Sequence, residues 1–99
     1  MVPALDVLVV THRAGALLAE CLDGLAVQRH PPARIVVVVS SSTAVSVPDG
    51  VDIIRTPEAT DFAPAANLGL SLLGTRPVVL LNDDTVPHSD FLYELAQAA

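Results

Sequence analysis

The stretch Leu80-Leu81-Asn82-Asp83-Asp84-Thr85-Val86-Pro87 runs from an apolar segment straight into two adjacent carboxylates. Side by side, Asp83 and Asp84 repel one another. The pair becomes favourable when a divalent cation sits between them and an anionic ligand. Hard oxygen donors suit Mg²⁺ or Mn²⁺, which take one or two protein carboxylates and fill the rest of their shell from phosphate and water. Such a cation acts as a Lewis acid and neutralises charge on a diphosphate leaving group. The plain structural alternative is a turn in which Asp83 or Asp84 caps backbone N–H groups ahead of a helix. Short acidic motifs arise by chance, so their spacing alone leaves both readings open.

Two further polar clusters carry possible chemistry. Thr11-His12-Arg13 follows the apolar run Leu5–Val10, and Ser40-Ser41-Ser42-Thr43 follows Arg34–Val39. His12 suits a ligand contact or a solvated rim position equally in kind. Arg13 is able to pair with a diphosphate or to sit in solvent at a helix entry. The serine run has no base beside it in sequence, which gives nucleophilic catalysis little support. His30 and His88 border prolines and read as solvated loop residues, and no two histidines have metal spacing. Arg55 and Arg76 read as surface residues. Neither a Gly-x-Gly-x-x-Gly nor a Gly-Lys-Ser/Thr sequence occurs, so dinucleotide and P-loop readings fail.

The elements that must position these clusters follow from periodicity. Leu5–Val10 and Arg34–Ser40 are rich in β-branched residues and mostly apolar, as in strands buried on both faces. Between them, Leu17, Leu18, Cys21, Leu22 and Leu25 recur at helical spacing over 16–28, and Pro31-Pro32 ends the helix. Val51–Thr56 alternates as a strand nearer an edge. A helix over 65–74 has Leu68, Leu72 and Leu73 as its apolar face and Gly74 as its stop. Pro77–Asn82 reads as a fourth buried strand. A last helix over 88–99 has His88 or Ser89 near its cap and Phe91, Leu92 and Leu95 inward. The order β-α-β-β-α-β-α predicts an α/β fold, an open and mostly parallel sheet with flanking helices. Ligands of such sheets bind outside the carboxyl ends of the strands. All three polar clusters fall at such ends.

Composition narrows the function classes. The chain has 99 residues, 52% hydrophobic and 16% charged, which fits one packed domain over 1–99. Its net charge is −6, with five arginines and no lysine, too few cations for a basic patch, so no nucleic-acid partner is expected. A lone cysteine, Cys21, excludes an internal disulfide and a cysteine zinc site, and reads as a small buried hydrophobe. The longest apolar runs fall far short of a membrane span, and the start lacks the basic leading region of a signal peptide. A cytoplasmic domain is the expectation, with membrane association only through regions outside the chain.

Four segments in order resemble the N-terminal, nucleotide-sugar-binding half of family-2 type glycosyltransferases. They are VVTHRAG, ECLDGLAVQRHPP, RTPEATDFAPAANLGL and VLLNDDTVPHSDFLYEL. The last carries a variant of the Asp-x-Asp motif, with Asn82 at its first position. The resemblance implies the Rossmann-like half of a GT-A fold and a donor linked to UDP, GDP or dTDP. Asp84 would hold the metal bridging the diphosphate, with Asp83 at the ribose or in the metal's water shell. Thr11, His12 and Arg13 would line base and ribose. Ser40 would stand in at the end of the second strand, and Asn67 lies on a helix whose start faces the donor. Three positions depart from the family pattern. Val39 replaces a base-binding Asp, Asp61 replaces a Gly, and Ala66 replaces an Arg, which implies weak or altered nucleotide binding.

The family's acceptor-binding part and its catalytic base lie beyond the acidic turn, so no catalytic residue is assigned. The chain is expected to be part of a longer protein or a remnant, inactive alone. A degenerate module serving assembly is the alternative. A receiver-like signalling domain, which also carries acids at strand ends, needs a lysine that is absent. An incomplete sheet leaves an edge or apolar face exposed, which predicts self-association into a homo-oligomer.

Overall fold

A computed structural model of the chain describes residues 2–57 and 60–98. Glu58 and Ala59 of the third family-like segment, and Ala99 of the last helix, lie outside the described residues. Four strands, β1 (Asp6–Thr11), β2 (Arg34–Val39), β3 (Val51–Arg55) and β4 (Val78–Asn82), form one sheet of order β3-β2-β1-β4. All three pairings are parallel, with Thr11 opposite Val39 and Val10 opposite Asn82. The tips of β1, β2 and β4 therefore share one rim, as the strand-end clusters require. Among the described residues, no helix is long and apolar enough to cross a membrane.

Central β1 is buried along its whole length, and β2 over Val36–Val39. Val7 and Val9 face one core with Leu18, Cys21, Leu22 and Leu25 of α1 (Ala16–Ala26) and Leu92 and Ala96 of α3 (Phe91–Ala98). Leu8 and Val10 face a second core with Val36, Val38, Ala65 and Ala66, under α2 (Phe62–Leu70). Asp6 lies on this second face, fully buried, and its Oδ1 is 3.5 Å from the half-exposed Arg76 guanidinium. Arg76 is a surface residue, as expected, and also the ion-pair partner of Asp6.

Several sequence expectations change. β4 is not a doubly buried strand but the second edge of the sheet, with Leu80 exposed. Only one helix covers that face, and it lies over β1 and β2. The inward face of α2 is Ala65, Ala66 and Gly69, whereas Leu68 and Leu72 point to solvent. A Cβ at Gly69 would overlap Leu8 and Val38 side chains, so small residues are what let the helix approach the sheet. The helix also ends before Gly74. After Leu70 the chain tightens into i→i−3 bonds, Leu72 N–H to Gly69 O and Leu73 N–H to Leu70 O. In α3 the inward partner of Leu92 is Ala96, one turn on, and Leu95 is exposed.

Loops are fixed by a few polar side chains. Gln28, just past α1, is buried and donates to Gly24 O at 3.1 Å and His88 O at 2.6 Å. Its Oε1 accepts the Leu92 N–H at 2.9 Å. A Cβ at Gly24 would come within 3.0 Å of Pro87, so α1 and the loop after β4 are in close contact there. His30 is no free loop residue, since its Nε2 donates to Pro3 O at 2.9 Å. His88 does stand near the start of α3, where its Nδ1 accepts the Asp90 N–H.

Gln28→Leu would strip partners from His88 O and the Leu92 N–H while keeping an apolar stem in place. It is expected to lower stability by about 1–3 kcal/mol, the usual cost of unpaired buried backbone groups. Urea denaturation followed by circular dichroism would measure it, and an unchanged midpoint would contradict the clamp described.

Candidate functional site at the strand tips

The site begins at the tip of β1. Thr11 is buried, and its Oγ1 donates to Asp83 Oδ2 at 2.5 Å and accepts the Ala14 N–H at 3.0 Å. Those bonds fold the chain back at residues 11–14, with Ala14 left-handed at φ 50°. His12 and Arg13 are thereby thrown outward and exposed. On the neighbouring strand, the Ser40 N–H donates to Thr11 O at 2.9 Å. The His12 Nδ1–H donates in turn to Ser40 O at 3.1 Å. Thr11 and Ser40 are supports, and His12 is held by them.

The acidic turn is built differently from a helix cap. The Thr85 N–H donates to Asn82 O at 3.2 Å and turns the chain at the end of β4. The N–H groups opening α3 go to His88 and Gln28, and among the described residues neither Asp83 nor Asp84 accepts a backbone N–H. Asp83 is bound across the sheet by Thr11. Asp84 is exposed and makes no hydrogen bond or ion pair among the described residues. The capping alternative therefore does not describe this turn.

Two clefts open on either side of the rim. The first, about 430 Å³, lies on the α2 side, between His12, Ser40, Asn82 and Asp83 on the strand tips and Thr60, Asp61 and Phe62 at the start of α2. The second, about 470 Å³, lies on the α1 side and takes in Arg13, Ala16, Leu17, Asp83 and Asp84. His12 and Asp83 border both. Leu17, which the helical pattern places inward, is instead half exposed and lines the second cleft.

Six of the seven sequence-derived candidates thus meet at this rim. Thr11 is there as a buried support, and His12, Arg13, Ser40, Asp83 and Asp84 line one cleft or both. Asn67 is the exception: it is exposed on α2 and lines neither cleft. Val39 and Ala66, two of the departures from the family pattern, are core residues. Ser40 reaches the cleft without any shift of the strand, because it follows the last paired residue of β2. Sequence reasoning missed Thr60 and Phe62 as lining residues and counted Asp61 only as a departure. Their polarity pattern alone gives no hint, since the start of α2 had to be placed first.

The donor set suits a hard divalent cation. Two neighbouring carboxylates face a solvent-open cleft, one fixed by Thr11 and one unpaired. No group of three or more His, Cys, Asp or Glu side chains able to hold a metal is found among the described residues.

The sequence profile of glycosyl transferase family 2 matches residues 6–99. The fold is similar to that of S. aureus TarS, at 18% identity and a TM-score of 0.79, covering 95% of this chain and 19% of that one. A crystal structure of S. aureus TarS 1-349 superposes with a TM-score of 0.80, again at 18% identity, covering 95% and 31%. The chain thus spans less than a third of either. Curated proteins give no significant sequence match.

Cys21 reports on the charge of this rim. Its thiol is pushed up to about 11, first by burial and then by the charges of Asp83 and Asp84. An unfolded cysteine ionises near about 8.5. Between those values the unfolded chain has released its proton and the folded one has not. Stability from this group is therefore complete below about pH 8.5 and is lost as the pH rises toward about 11. Urea midpoints measured near pH 8 and near pH 10 should fall more for the wild type than for Cys21→Ala. Equal falls would show that the thiol is not the group responsible.

Proposed function

Because the chain belongs to glycosyl transferase family 2, we propose that its two clefts form the donor site for a nucleoside-diphosphate sugar. The observation that carries this reading is the placement of Asp83 and Asp84. Asp83 is tied to the β1 tip and borders both clefts, and Asp84 is unpaired and lines the second cleft beside Arg13. The first cleft would take the nucleoside, against His12, Ser40 and Phe62. The diphosphate would lie at the wall shared by the clefts, within reach of Arg13, whose guanidinium suits phosphate oxygens.

Mg²⁺ or Mn²⁺ would be held by Asp84, with Asp83 beside it, and would supply charge neutralisation for the departing diphosphate. The protein's own part is orientation. Thr11 fixes Asp83, the Thr11–Ala14 turn presents His12 and Arg13, and Ser40 holds the His12 ring. Residues 1–99 are read as one donor-binding unit of an inverting transfer that does not turn over alone. Its acceptor site and general base would belong to other parts of a longer protein. A second reading, a binding-deficient module kept for assembly, has its support in Val39 and Ala66, which place core methyl groups where the family pattern has ligand-contacting side chains. Self-association is proposed through the uncharged edge strand β4, where Leu80 is exposed; β3 by contrast carries Asp52 and Arg55.

Calorimetric titration of UDP, GDP and dTDP, with and without Mn²⁺, tests the donor site. Binding should require the metal, and Asp84→Ala should weaken it at least about tenfold, since even outer partners of metal ligands cost 10–100-fold. Binding that ignored both would remove the metal site, and no binding at all would favour the assembly module. Size-exclusion chromatography checks the edge. The wild type should elute as an oligomer and Leu80→Lys nearer a monomer, whereas a wild-type monomer would refute association.

A further inference from the structure

The first cleft has one charged side chain, Asp61, that the donor reading does not use. Asp61 stands at the N-cap of α2 with extended backbone (φ −66°, ψ 164°), the position at which an aspartate ordinarily accepts N–H groups of the first turn. Its side chain makes no capping hydrogen bond. It is exposed, it lines the cleft, and it has no ion pair among the described residues. Beside it, Phe62 lines the same cleft and is 43% exposed. An unengaged carboxylate and an open phenyl face, adjacent in one cleft, are complementary to a flat heterocycle with N–H groups on its edge.

The bases differ in what they offer a carboxylate. Guanine presents two neighbouring donors, N1–H and the 2-amino group, which both carboxylate oxygens accept together. Uracil and thymine present one N–H between two carbonyl oxygens, so a second carboxylate oxygen meets a like partial charge. Adenine and cytosine present an amino group beside an unprotonated ring nitrogen, with the same mismatch. We propose that Asp61, with Phe62 as a stacking face, makes the cleft selective for guanine, so that the donor is a guanosine-diphosphate sugar. The inference rests on the donor reading above and adds the identity of the base. It also gives the Asp61 departure from the family pattern a function, at a rim where Val39 has no acceptor to offer.

Calorimetric titration of the chain with GDP, ADP and UDP in Mn²⁺ tests this, because the three ligands carry the same diphosphate and differ in the base. The wild type should bind GDP at least about tenfold more tightly than UDP or ADP, the discrimination typical of a bidentate contact to a base. Asp61→Asn keeps side-chain size and capping ability but replaces one acceptor by a donor. It should abolish the preference by weakening GDP while UDP and ADP bind as well or more tightly, because an amide offers a donor beside an acceptor, as their edges require. Phe62→Ala should weaken all three alike, as loss of a stacking face does. The wild-type preference is read without any variant, so a poorly folding variant does not spare the proposal. Metal-dependent binding of all three with no preference for GDP would overturn guanine selection and leave the donor site standing. A preference that survives Asp61→Asn, or an equal loss for all three nucleotides in that variant, would overturn the role of Asp61. Failure of every nucleotide to bind would overturn the donor reading and this inference together.

Discussion

The hydrogen bond from Thr11 Oγ1 to Asp83 Oδ2 is the interaction on which the rest of the rim depends. It joins residues 72 positions apart in sequence, at the tips of two neighbouring parallel strands. The same hydroxyl oxygen accepts the Ala14 N–H, so one side chain sets both the turn after β1 and the direction of the acidic turn after β4. Two adjacent carboxylates at a strand end are a repulsive arrangement. Here the repulsion is accommodated without a basic side chain: one carboxylate has a hydroxyl donor, and the other stands in water.

That bond is held in register from below and from the side. The parallel pairing of β1 with both β2 and β4 brings three strand tips to one level. On one face, Gln28 and the close approach of Gly24 to Pro87 fix the loop that carries Asp83 and Asp84 against α1. On the other face, the small residues of α2 draw that helix down onto Leu8 and Val38. Its first residues are thereby brought to the rim, where they close the first cleft. The two clefts are consequences of packing on opposite faces of the sheet, and His12 and Asp83 are shared because they sit at its edge-on view.

Much of this was legible in the sequence, and for definite reasons. Apolar β-branched runs placed all four strands within about two residues, and parallel order followed from alternation with helices. Given that order, the strand-end clusters had to share a rim. What escaped were features set by closeness rather than by polarity. The periodicity of large side chains assigned Leu68 and Leu72 to the core, but the gap over Leu8 and Val38 admits only alanine and glycine. Asn67 shares that helix and is consequently away from the rim, and with the helix starting at Phe62, Asp61 and Phe62 are at it. An uninterrupted apolar run, VVLL, reads as doubly buried, yet it forms the second edge of the sheet, with Leu80 exposed. His30 gave no sign of its bond to Pro3 O, because a histidine's partner is a matter of loop proximity, not of local pattern.

The electrostatics of the rim bear on which ligand chemistry is physically sensible there. Asp61, Asp83 and Asp84 border the clefts, and Arg13 is the one arginine among their lining residues. Burial first, and then the charges of Asp83 and Asp84, push the Cys21 thiol in the adjoining core up. A bare diphosphate brought to such a place meets like charge, and one guanidinium does not balance it. A divalent cation changes the sign of that interaction, since carboxylates that repel the ligand alone attract the cation that binds it. On the donor reading proposed above, an acidic rim would take its anionic ligand as a three-component arrangement with the cation. In that arrangement affinity for the diphosphate comes through the cation, and the protein's remaining contacts are left to discriminate the base and the sugar.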